Sequence, residues 1–173
     1  MHVLIATTGV LSPEPVVQFT SALLGESGRV TITTVIEVPR SFLEDLTSDD
    51  WHPLSDSDTS LAVDKQEEMI RRYVEERGRR LTDPIVAALR AAGIGSDCRF
   101  LEDEDAAAAI SRLAETIDAD LVVLGATRQI FDQSAWESVS ARIMTEAGRP
   151  ILVVPPPVKA EPSAVSEELA ESG

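Results

Sequence analysis

Apolar, β-branched runs too short to be helices recur along this chain with amphipathic stretches between them. That alternation limits the possible folds more than any other feature of the sequence. The runs are Val3–Thr7, Arg29–Val38, Gly95–Leu101, Leu121–Leu124 and Pro150–Val154. The first is apolar and bounded by Thr8-Gly9, as expected of a central strand buried on both faces. After it, Ser12-Pro13-Glu14 offers a cap, a proline at the first helical position and an acid in the first turn. Val16, Val17, Phe19, Ala22, Leu23 and Leu24 continue this helix, which Gly25 or Gly28 ends. Asp64 to Ala92 is helical by composition and stops at Gly93, with Pro84 predicted to break or bend it. Ala106, Ile110, Leu113, Ala114 and Ile117 form the stripe of an amphipathic helix, with Asp103 and Asp105 at its positive end. Ser138 to Ala147 gives a last short helix, carrying Val139, Ile143 and Ala147 inward.

Parallel neighbours need crossovers of about this length, so the pattern specifies the α/β class: a doubly wound five-stranded parallel sheet flanked by helices. Ligands in such folds bind beyond the carboxyl ends of the strands. One domain is expected over residues 1–155, interrupted by a long acidic surface loop at about 40–63. Trp51 within that loop either pins it to the body by burial or covers a ligand. Residues 156–173, poor in large apolar side chains and rich in proline and acid, read as a disordered tail.

Several function classes are opposed by composition. Thirty acidic residues against 15 basic give a formal charge of −15, which works against nucleic acid or an anionic membrane surface as partner. A lone cysteine, Cys98, cannot form an internal disulfide, and His2 and His52 make no zinc site with it at any usual spacing. The start MHVLIATTGV lacks the basic flank and apolar length of a signal peptide, and no apolar run approaches about 18 residues. A cytoplasmic, soluble protein is expected.

Catalytic motifs are also missing. Neither histidine follows a Gly-x-Ser-x-Gly elbow, no Gly-x4-Gly-Lys-Ser/Thr loop occurs, and the first turn, 8–12, holds one glycine where a dinucleotide fingerprint needs three. Thr7-Thr8 and Gly125 stand at the strand ends where a receiver domain would carry its carboxylates. The expectation is a non-enzyme.

Three segments carry a family likeness. Ala119-Asp120-Leu121-Val122-Val123-Leu124-Gly125, then Ser138-Val139-Ser140-Ala141-Arg142-Ile143, then Arg149-Pro150-Ile151-Leu152-Val153-Val154-Pro155 resemble the carboxyl-terminal signature of universal stress proteins. The opening Val3–Thr7 resembles that family's first strand. The likeness spans roughly residues 1–155 and implies the UspA-like, adenine nucleotide alpha-hydrolase-like fold.

Members of that family that bind ATP carry Gly-x2-Gly-x9-Gly-Ser/Thr between the fourth strand and the last helix, where glycines and a helix start approach the phosphates. This chain keeps Gly125 but has Arg128 at the second glycine and Glu137 at the third, in a loop one residue short. Thr8-Gly9 stands where nucleotide-binding relatives usually have aspartate before glycine. Each lost N–H to phosphate bond removes roughly 1.5–3 kcal/mol, against about 8 kcal/mol for a micromolar ligand. Glu137 adds repulsion of roughly 1–4 kcal/mol per charge pair at about 4 Å, which Arg128 offsets in part.

The resemblance thus implies a stress-response regulatory domain without catalytic residues and with degenerate or lost ATP binding, acting as a dimeric interaction module. The alternative is a sensor of ATP, AMP or cyclic AMP, with Thr8, Gly125, Arg128, Ser138 and Ser140 as candidate contacts. The resemblance also implies homodimers, paired through Ile151, Leu152, Val153 and Val154 of the last strand. Such pairing would hide a sheet edge, and a further protein partner is left open.

Overall fold

In the computed structural model, residues 1–25, 27–39, 41, 56–125 and 139–155 are described, the side chains of 56–64 excepted. The elements run β1 (His2–Ala6), α1 (Pro13–Leu23), β2 (Arg29–Ile36), α2 (Asp56–Ala91), β3 (Asp97–Glu102), α3 (Ala106–Thr116), β4 (Leu121–Gly125), α4 (Val139–Glu146) and β5 (Ile151–Val154). All strand pairs are parallel, in the order β3-β2-β1-β4-β5. The doubly wound arrangement expected from the alternation is the one found. Strand ends differ from the sequence reading by one or two residues, the usual uncertainty at element boundaries.

Side chains alternate across the sheet and divide the core in two. Val3 and Ile5 of β1 join Val30, Ile32, Ile85, Leu89 and Val123 on one face. Leu4 and Ala6 join Ala107, Ile110, Leu113, Val122 and Ile143 on the other. Every residue of β1 is buried, which accounts for its apolar run. At the amino end of the sheet His2 ties three segments together: Nδ1 lies 3.0 Å from the Ile117 carbonyl and Nε2 2.8 Å from the Thr31 hydroxyl.

Helix α2 departs from expectation. It has 36 residues, begins at Asp56 rather than Asp64, and runs through Pro84 without ending. The acidic and hydroxyl residues at 56–60, read as loop chemistry, also suit the positive end of a helix. Proline removes the donor that Arg80 would have met, but Arg80 is exposed, so water can replace that bond. Earlier in the helix the Thr82 hydroxyl donates to the Gly78 carbonyl at 3.0 Å. Among the described side chains of α2, the buried ones begin at Val74. The rest of the 40–63 loop, Trp51 and the 156–173 tail lie outside the described residues.

Candidate functional site

In this strand order β1 leads by way of α1 to β2 on one side, while β4 lies on the other. The crevice that a doubly wound sheet opens at its reversal therefore falls between the carboxyl ends of β1 and β4. At the end of β1, the Thr7 amide donates to the Thr33 carbonyl at 3.0 Å. The Thr7 hydroxyl accepts from the Gly9 amide at 3.0 Å. Gly9 sits at φ +88°, a left-handed conformation that glycine adopts without penalty. This tight turn sends the chain back over the strand ends and buries Leu11, which is 6% exposed.

Leu11 is seated on Gly125. Its Cδ1 lies 3.3 Å from the point where a β-carbon at residue 125 would stand, so glycine there lets the leucine close down on β4. From the opposite side the Ser140 hydroxyl, itself 6% exposed, donates to the Gly125 carbonyl at 3.2 Å. Gly125 also faces Val154 in the sheet register, and Val154 is buried.

Two of the five sequence-predicted site residues, Gly125 and Ser140, are thus brought into direct contact. Thr8 lies on the same turn but is exposed, and the buried hydroxyl that shapes the turn belongs to its neighbour Thr7. Arg128 and Ser138 lie outside the described residues, as do Asp132 and Glu137. Sequence reasoning missed Leu11, because one leucine in a turn carries no spacing signal.

Electrostatic organisation nearby comes from Arg142 on α4. Its guanidinium meets both carboxylate oxygens of Asp105, at 2.8 and 2.9 Å, and Glu146 at 3.1 Å. Asp105 also caps α3, accepting from the Ala108 amide at 3.1 Å. The Arg142 contact and the Ala108 bond hold the Asp105 carboxyl below its ordinary range. Asp105, then Glu146, in turn raise the Arg142 guanidinium above its own. The four-residue spacing of Arg142 and Glu146 was a legible signal; the tie to Asp105 was not. Among the described residues no group of three or more His, Cys, Asp or Glu side chains could hold a metal ion.

The Universal stress protein family model matches residues 1–155. This chain belongs to that family. The universal stress protein fold is also that of solved structures at low sequence identity. One is a universal stress protein in complex with cAMP, with TM-score 0.57 and 16% identity, covering 91% of this chain and 98% of that one. A universal stress protein family protein from Arabidopsis thaliana with AMP bound gives 0.55 and 13%, covering 95% and 97%. The hypothetical protein MJ0577 gives 0.58 and 15%, covering 91% and 97%. At these identities the likeness establishes the fold alone. No curated protein matches the sequence. Among the described residues no helix of this family member is long and apolar enough to cross a membrane.

Proposed function

We propose that this universal stress protein is a non-catalytic regulatory and interaction module whose adenine-nucleotide binding is degenerate or lost. The observation that supports this reading is that the chain's own groups meet at the β1–β4 crevice: Leu11 lies over Gly125, and Ser140 is already bonded to the Gly125 carbonyl. A nucleotide at this point would have to displace a buried leucine and share or break that hydroxyl's bond. Arg128 and Glu137 in place of two glycines remove further phosphate contacts, each worth roughly 1.5–3 kcal/mol.

Titration calorimetry of the ligand-free protein with ATP, ADP, AMP and cyclic AMP, with and without magnesium, tests this. No heat up to millimolar nucleotide is the expected result. Micromolar binding that weakens in Arg128→Ala or Ser140→Ala overturns it in favour of a nucleotide sensor. That second reading is supported by the solved relatives carrying cAMP and AMP.

The interaction half of the proposal rests on β5. Among the described residues it is the outermost strand on its side, and Ile151, Leu152 and Val153 are only half-buried, leaving an apolar edge that no other described strand pairs. Pairing with a second copy across a two-fold axis would satisfy those groups. Val153→Asp should then lower the association state, and an unchanged sedimentation coefficient rules out this placement.

A further inference from the structure

A groove of about 540 Å³ runs along the opposite edge of the sheet, between α2 and the free side of β3. Val74, Val86 and Phe100 supply its apolar floor, and Arg71, Glu75, Arg79 and Asp83 supply its charged wall. Among the described residues β3 pairs only with β2, so none of them meets its outer backbone groups in the sheet, and Asp97, Cys98 and Arg99 are exposed.

The wall has an order of its own. Arg71, Glu75, Arg79 and Asp83 follow one another at four-residue intervals, so one helix face presents plus, minus, plus, minus. Exposed pairs at this spacing support the helix from within, and Arg79 does pair with Glu75. Support of that kind is indifferent to what lies alongside. Here, however, the column borders a partly apolar groove that no other described residue fills, and its alternation has a second property: reversed, it becomes its own complement. Laid antiparallel against a copy of itself, Arg71 meets Asp83 and Glu75 meets Arg79, and the two-fold axis repeats both pairs. An isologous interface requires self-complementarity of this form. A column of one sign, or one ordered plus, minus, minus, plus, would repel its own copy.

We infer that the α2–β3 edge seats a second copy of this chain, with the two α2 helices antiparallel and the Arg71–Asp83 columns in register across the axis. The copy would cover the half-buried Val86 and Phe100, leaving the charges at the rim, where they select orientation. This inference is independent of the nucleotide reading and of pairing through β5.

Sedimentation equilibrium on the full chain tests it. Glu75→Arg and Arg79→Glu each place like charges opposite one another in the pair, so each is expected to lower the association state by one step. An equimolar mixture of the two variants is expected to restore it, because an all-acidic central pair then faces an all-basic one. Restoration on mixing cannot come from pairs within one helix. A monomeric parent, unchanged association in both single variants, or a mixture that stays at the lower state overturns the inference. Should either variant lose helical circular dichroism, Arg71→Glu and Asp83→Arg repeat the test on the outer pair of the column.

Discussion

Arg142 holds Asp105 with both arms of its guanidinium, Nη1 to Oδ1 at 2.8 Å and Nη2 to Oδ2 at 2.9 Å, and so fastens α4 to the amino end of α3. Planar two-point pairing of this kind fixes orientation as well as distance. Because the contact holds the carboxyl below its ordinary range, folding favours the ionised form. The resulting stabilisation is present above the ordinary aspartate pKa of about 3.9 and is lost as pH falls through the depressed folded value. Urea unfolding followed from pH 6 down to pH 2 should show this loss. In Arg142→Gln the Asp105 share of that slope should shrink, with only a small effect at neutral pH because both side chains are partly exposed.

Gly78 lies against the ring of Phe100, so that a β-carbon at residue 78 would stand well inside 3.0 Å of it. The absence of a side chain is what lets α2 approach β3. Gly78→Ala should therefore destabilise by about 1–3 kcal/mol through overpacking, although alanine gains about 1 kcal/mol in intrinsic helix preference. Shortening the ring in Gly78→Ala/Phe100→Leu should recover part of the loss. Equal stability of wild type and Gly78→Ala in urea would show that the ring moves aside freely.

Leu11 is a core residue that happens to sit in a turn. Leu11→Ala should cost about 2–5 kcal/mol in chemical denaturation, the range for emptying a buried leucine site. A loss below about 1 kcal/mol would indicate that the turn does not press on β4.

Ser140→Ala removes the hydroxyl donor to the Gly125 carbonyl and should cost about 1–2 kcal/mol. The carbonyl stretching frequency of 13C-labelled glycine at 125 should rise as the bond is lost, with helical circular dichroism unchanged if α4 itself stays in place.

At the other end of the sheet, the Ile117 carbonyl can only accept, so Nδ1 of His2 carries a proton, and in the neutral ring Nε2 then accepts from the Thr31 hydroxyl. Thr31→Val strands a buried ring nitrogen and should cost about 1–3 kcal/mol. Combined with His2→Phe the two losses should be far from additive; simple additivity would mean the contact contributes nothing.

The fold was legible because its signals are local and repeated. Five apolar runs with helix-start signals such as Pro13 and Asp105 between them leave few arrangements open, and the family likeness agreed with the one found. Helix α2 was misjudged where local chemistry is ambiguous: Asp, Ser and Thr at 56–60 suit a loop and a helix start equally, and the cost of Pro84 depends on whether Arg80 faces water. Gly125 and Ser140 were legible as site residues by likeness, but their mutual bond was not. Leu11 over Gly125, Gly78 under Phe100 and Arg142 on Asp105 depend on how distant segments meet, which periodicity does not encode.

The position of β1 has a consequence for synthesis of the chain. β1 is the middle strand, yet one of its two neighbours is β4, and the His2 amide bonds to the Asp120 carboxylate 118 residues away. A nascent chain can join β1 to β2 early, but the other edge of β1 has no native mate until β4 has emerged from the ribosome. At about 5–20 residues per second the 118 residues from His2 to Asp120 take roughly 6–24 seconds. Exposed strand edges are aggregation-prone during such an interval, so the yield of this protein should depend on translation speed through residues 37–120 and on what shelters Val3, Leu4 and Ile5 meanwhile.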